Sequence, residues 1–239
     1  MVRYLALLAL AAVSSMAADP TVDEVVAKYV AARGGLDKMQ AIQSLKVTGK
    51  MIMLATQAEA PLTLLIKRPG SVRIEIVVNG AKTVRASDGA TAWDINPNRG
   101  PDARQAGEQE ARRTLESADF DGPMVNARQK GITLELLGKE DIEGAPAYKI
   151  KAIRQSGEMD YHWVDARSFL EVKSSSRRAI MGREMEIEAF IGGYKAVHGV
   201  MIPASMEQRM EGKPLVRIVW EPIEANAPID DAVFKMPAK

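Results

Sequence analysis

Two hydrophobic periods divide the chain. Val22, Val25, Val26, Tyr29 and Val30 fall on one face of a 3.6-residue period. Thr21 and Glu24 flank its start with capping-box spacing, which predicts a helix beginning there, and Gly34-Gly35 ends it. Leu36 to Ile42 reads as a second, short helix. From Leu45 the period changes to two. Val72, Ile74, Ile76 and Val78 alternate with Arg73, Glu75, Val77 and Asn79, the pattern of a half-buried strand. Asn79-Gly80 follows at once and predicts a tight hairpin. Tyr148 and Ile150 alternate with Lys149 and Lys151, Met185 and Ile187 with Glu184, Glu186 and Glu188, and Met206 and Met210 with Glu207, Arg209 and Glu211.

Such runs number about eleven or twelve, joined by short turns such as Glu143-Gly144 and Glu211-Gly212. The long interruption is Pro97 to Gly131. Its polar stretch from Asp102 to Glu116 predicts a helix with a weak apolar face, and Pro123 to Lys130 a further short one with proline in its first turn. Consecutive hairpins around an inserted helical segment predict one large, strongly curved antiparallel sheet. Neither a linker nor an internal repeat divides residues 19–239, which are expected to form one domain.

The N-terminus belongs to a different category. Met1-Val2-Arg3 is a short positive region, Tyr4 to Val13 is apolar, and Ser14 to Ala18 supplies small residues for a signal peptidase. Cleavage after Ala17 or Ala18 is expected, with residues 1–18 as signal peptide, because the apolar run is too short to span a bilayer. The mature protein is then soluble and exported.

Composition mainly excludes. With no cysteine there is no disulfide scaffold, thiolate metal site, cysteine nucleophile or lipidated N-terminal cysteine. Thirty-two basic residues against 31 acidic ones give no electrostatic case for nucleic acid. Of the two histidines, His162 is expected on an exposed strand face opposite Tyr161 and Trp163, and His198 in a Val197-His198-Gly199 turn. The Glu184/Glu186/Glu188 row reads as a solvated strand face. No Gly-x-Ser-x-Gly elbow or phosphate-binding glycine loop is present. No catalytic residues, metal ligands or cofactor are predicted.

What remains is apolar surplus on a curved sheet. Met51 and Met53 share one strand face, and Leu62, Leu64 and Ile66 another. Methionine adapts to irregular shapes and suits a cavity for flexible acyl chains, although ordinary helix-on-sheet packing would produce the same pattern. Trp93, Trp163 and Trp220 all lie in strand-like runs.

Ile66-Lys67-Arg68-Pro69, the block Ser87-Asp88-Gly89-Ala90-Thr91-Ala92-Trp93-Asp94-Ile95-Asn96-Pro97 and the closing Ile229 to Pro237 segment resemble the periplasmic LolA-like lipoprotein carriers. The resemblance implies an α+β fold: an incomplete, half-open antiparallel β-barrel of about eleven strands with a helical lid. It implies a hydrophobic cavity, which Met51, Met53, Leu62, Leu64, Ile66, Val72, Ile74, Ile76 and Val78 would line from one side. Trp93, Tyr148, Ile150, Trp163, Met185, Ile187 and Met206 would complete it. Arg68 matches the arginine that locks the lid in the empty state, while Val72 and Ile74 stand where the family has Phe and Trp. The implied partners are lipoprotein acyl chains or another lipid, an inner-membrane release complex and an outer-membrane receptor, with a monomeric periplasmic carrier between them. An RseB-like sensor, in which lipid occupancy controls a protein partner, is the alternative on the same fold. An enzyme would need paired acids inside the cavity, whereas alternation puts most acids outside.

Overall fold

The fold is described from a computed structural model covering residues 19–180 and 182–238. The expected signal peptide lies outside these residues. The Thr21 hydroxyl accepts from the Glu24 amide and the Glu24 carboxylate from the Thr21 amide, so the capping box closes α1 (Val22–Ala32). Gly34 and Gly35 then take positive φ, and α2 (Leu36–Ala41) follows. Gly34 is required for a second reason: a Cβ there would lie 2.1 Å from the Gly199 carbonyl oxygen.

The first run of strands is β1 (Ser44–Met53), β2 (Ala58–Lys67), β3 (Ser71–Val78), β4 (Ala81–Ser87), β5 (Ala92–Ile95) and β6 (Arg104–Gln105). After α3 (Glu108–Glu116) come β7 (Thr133–Ile142), β8 (Ala145–Ile153), β9 (Met159–Asp165), β10 (Glu171–Ile180) and β11 (Arg183–Gly192). A small hairpin, β12 (Lys195–Val197) and β13 (Val200–Ile202), precedes β14 (Ser205–Met210) and β15 (Lys213–Ala225). Thirteen strands form one antiparallel sheet in the order β6-β5-β4-β3-β2-β1-β15-β14-β11-β10-β9-β8-β7. The chain therefore starts in the middle, walks to one edge, crosses over through α3, and walks back from the other edge until β15 pairs with β1. The sheet is open: β6 and β7 are its two edges.

The turns follow the sequence. Asn79-Gly80, Glu143-Gly144, His198-Gly199 and Glu211-Gly212 all have positive φ at both residues, as two-residue hairpins require. Two expectations are corrected. The strands exceed eleven or twelve because β6, β12 and β13 are two or three residues long, too short to show a period. The Pro123–Lys130 segment is a series of turns rather than a helix, since Asn126 adopts φ 54° and interrupts any right-handed winding. The inserted helix is also shorter than Asp102–Glu116, starting only at Glu108.

Strands far apart in the sheet order share one core. Val72 of β3 and Ile150 of β8 belong to the same packed cluster, together with Leu45, Val47, Tyr148 and Val164. The sheet must curl to bring these residues together, which makes their common face concave. Val25 and Tyr29 of α1, Met39 of α2, and Met124 and Val125 fill that cluster from above. A second, small cluster of Val84, Ala86 and Trp93 lies elsewhere, with Met236 packed against it. Among the described residues no helix is long and apolar enough to cross a membrane.

Candidate functional site on the concave face

Cross-strand register assigns every strand residue to one face. Ile150, His162, Ser174, Ala189, Gln208, Val216, Met53 and Ala58 form one unbroken ladder across eight strands. The ladder Met206, Ile218, Met51 and Ala60 runs beside it, and Leu64, Ile74 and Arg85 continue the same face on the far arm. This is the concave side. The opposite ladder is Lys149, Trp163, Lys173, Phe190, Glu207 and Arg217.

The concave face has two regimes. Toward α1 and α2, Ile66, Val72, Tyr148 and Ile150 are buried in the main cluster, with Leu64 and Ile74 packed against it. Leu62 is also buried. Beyond it, Met51, Met53, Ile76, Val78, Met185, Ile187 and Met206 are half-buried and belong to none of the three packed clusters. Met210, Val216 and Ile218 extend this strip. Apolar side chains thus continue across the sheet after the helical cover has ended.

Helix α3 bridges the two arms over this face. It contacts β3, β4 and β5 on one side. On the other, Glu116 approaches Arg154 at 3.5 Å and Arg178 of β10 at 3.9 Å, and Arg112 meets Glu158 at 3.3 Å. Burial raises the Glu116 carboxyl above its ordinary value, against the pull of the two arginines.

Arg68 ends β2 and reaches the covering elements. Its Nε donates to the Ile42 carbonyl at 2.9 Å, and its Nη2 to the Met39 carbonyl at 3.2 Å and to both Asp121 carboxylate oxygens at 2.8 Å. The guanidinium also lies 4.3 Å from the Phe120 ring centroid. It ties the end of α2, where carbonyls lack helical partners, to the segment that follows α3. Arg33, which the sequence did not single out, holds that segment from the other side. It donates to the Asp121 carbonyl at 2.7 Å, the Phe120 carbonyl at 3.3 Å and the Tyr29 hydroxyl at 3.1 Å. Its place at the C-terminus of α1, directly before Gly34, was the available signal.

Two tryptophans assigned to the cavity lie on the other face. Trp93 pairs with Ala86, in the ladder of Arg73 and Leu65. Its indole donates to the Phe234 carbonyl at 2.8 Å and fastens the C-terminal segment to the convex side. Trp163 sits between Lys149 and Lys173, whose ammonium groups lie 5.1 and 4.7 Å from its ring, and donates to Glu140. Flanking lysines cover both indole faces, so large aromatics are stable outside the core. Trp220 faces inward opposite Gly49, where a Cβ would lie 2.1 Å from the Val219 carbonyl oxygen.

With the aromatics outside, His162 must point in. It is buried rather than exposed, and its Nδ1 lies 2.6 Å from Glu171 Oε1. Nearby, the Tyr194 hydroxyl donates to the Glu171 carbonyl. His198 occupies the predicted turn.

No family model matches the chain, and no curated protein does. Solved structures do match. A DUF1329-family protein from Desulfovibrio piger superposes with a TM-score of 0.62 at 14% identity, over 91% of this chain and 98% of the other. A LolA-superfamily protein from Nitrosomonas europaea gives 0.59 at 14% identity, over 91% and 98%. The fold is LolA-like. A domain titled as an outer membrane lipoprotein-sorting protein, from Vibrio parahaemolyticus, gives 0.58 at 12% identity, over 90% and 95%. At these identities the likeness is one of fold, and the LolA-like architecture now includes the curved open sheet, the helical cover and the Arg68 latch between them.

Proposed function

We propose that this LolA-like protein binds the acyl chains of a lipoprotein or another lipid on its concave face and carries them through the periplasm toward the outer membrane. The observation that carries this reading is the half-buried apolar strip around Met51, Met53, Ile76, Met185 and Met206, which continues the concave face beyond the packed clusters. Each methylene transferred there from water contributes about 0.8 kcal/mol, so one long chain binds appreciably without any charged group. The work is carriage rather than catalysis: carboxylates and apolar residues on this face suit binding and support no division into nucleophile, acid and base.

Release needs a competing state. Arg68 holds α2 and the Phe120–Asp121 segment together when closed, and an entering chain has to displace that cover. Closure then favours unloading, because ligand and latch cannot be satisfied together. An inner-membrane donor and an outer-membrane acceptor are the partners this cycle requires.

The test is extraction of the protein purified from its exported fraction, followed by lipid mass spectrometry. Acyl lipid or lipopeptide at a near-equal molar ratio is the expected result. A protein that carries none, and takes none from vesicles, would refute the proposal.

A further inference from the structure

The concave face holds two arginines that no carboxylate neutralises. Register puts Arg85 of β4 next to Ile74, facing the same side as the apolar strip, yet it keeps more than a third of its surface accessible. Arg113 projects from α3, which packs across β3, β4 and β5. Burial, and after it the like charge of Arg113, hold the Arg85 guanidinium below its ordinary value, which identifies the two as near neighbours. The carboxylates on this side have other partners. Asp94 pairs with Arg99, Asp160 with Arg154 at 3.0 Å, and Glu116 with Arg154 and Arg178. Among the described residues neither Arg85 nor Arg113 makes a salt bridge or a side-chain hydrogen bond.

Like charges held together in a crowded, accessible space raise the energy of the empty protein, and an anion relieves it. Guanidinium groups match the oxygens of a phosphate in fork geometry. A neutral acyl group would leave both unpaired. We infer that Arg85 and Arg113 form the headgroup site for an anionic phospholipid whose acyl chains lie along the adjoining strip from Ile76 and Val78 to Met51 and Met53. This rests on the acyl-binding reading above and narrows its cargo to lipids carrying a phosphodiester.

Two water-soluble lipids with the same acyl chains, dioctanoyl phosphatidylglycerol and dioctanoylglycerol, separate the two ideas. The full mature chain is expected to bind the phospholipid about tenfold more tightly at low salt, and Arg85→Gln or Arg113→Gln to bring the ratio of affinities close to one. Equal affinities in the unsubstituted protein would overturn the headgroup site while leaving acyl binding intact. Binding of neither lipid would overturn acyl binding itself. Glycerophosphoglycerol bound as tightly as the phospholipid would make this a site for a free phosphate ester and overturn the lipid assignment. Thermal midpoints give an independent check: relief of like-charge repulsion leaves Tm unchanged or higher in each variant, and a lower Tm would mark the arginines as structural and overturn the inference.

Discussion

Arg68 and Asp121 meet with a guanidinium nitrogen 2.8 Å from both carboxylate oxygens, joining the end of a strand to the segment that crosses between the two arms of the sheet. The pair is unequal: the Asp121 side chain is 8% exposed and that of Arg68 27%. Removing the arginine strands a nearly buried carboxylate, whereas removing the acid leaves an arginine that still has two carbonyls and some water.

Arg68→Leu is therefore expected to lower stability by about 2–3 kcal/mol, below the cost for a fully buried pair, read from the urea midpoint. Asp121→Asn should cost less. If the bond also acts as a latch, Arg68→Leu retains acyl cargo and slows its transfer to acceptor vesicles. A transfer rate equal to that of the unsubstituted protein would reject the latch.

Arg33 and Arg68 grip one dipeptide, Phe120-Asp121, through different atoms. Groups that share a partner segment do not act independently. Arg33→Met and Arg68→Leu should each loosen the segment, so the double variant is expected to lose about 1 kcal/mol less than the sum of the single losses. Additive losses would show that each arginine stabilises only its own surroundings.

Much of this architecture was legible as sequence. The capping box, the Gly34-Gly35 stop and four two-residue turns depend on backbone preferences of a few neighbouring residues, and local chemistry records them faithfully. Face assignment was harder. Alternation shows that Tyr161 and Trp163 share a face, but not which face is buried, and an aromatic pair normally marks the core. Here Lys149 and Lys173 sit on neighbouring strands and cover the rings, a relationship visible only once β8, β9 and β10 are paired. The inversion of His162 follows from the same register. Arg68 could be found because a motif surrounds it. Arg33 could not, because its partners lie 87, 88 and 168 residues away.

Alkaline stability tests the burial of the tyrosines beside Arg33. Burial pushes the Tyr29 phenol up to about 12, and burial followed by the Glu171 charge also raises that of Tyr194. Between pH 10 and 12 the unfolded chain has released these protons and the folded chain retains them. Stability is thus fully present below pH 10 and falls as pH rises, by about 1.4 kcal/mol per pH unit for each phenol. Urea titrations at pH 9, 10 and 11 should show the decline, and Tyr29→Phe should flatten it. An unaltered slope in Tyr29→Phe would place the buried proton elsewhere.

The two regimes of the concave face predict opposite phenotypes. Val72 is fully buried, so Val72→Ala should cost about 2 kcal/mol and leave acyl binding largely unchanged. Met51 and Met185 are half-buried outside the packed clusters, so Met51→Gln and Met185→Gln should cost under about 1 kcal/mol and weaken acyl binding about tenfold. Large stability losses at the methionines would mean that this strip is ordinary core.

The three tryptophans offer a direct optical reading of which face receives the ligand. Trp93 and Trp163 face outward, the first held by the Phe234 carbonyl and the second by Glu140 and two lysines. Trp220 faces inward beside the cross-strand ladder that continues through Ile218 to Met51. In a chain carrying Trp93→Phe and Trp163→Phe, emission comes from Trp220 alone. An acyl chain on the concave strip excludes water from that indole, and the expected result is a saturable blue shift with rising phospholipid concentration. The complementary Trp220→Phe chain should bind with a much smaller shift, because its remaining indoles lie across the sheet from the ligand. A large shift there, with none from Trp220, would move the binding surface to the convex face.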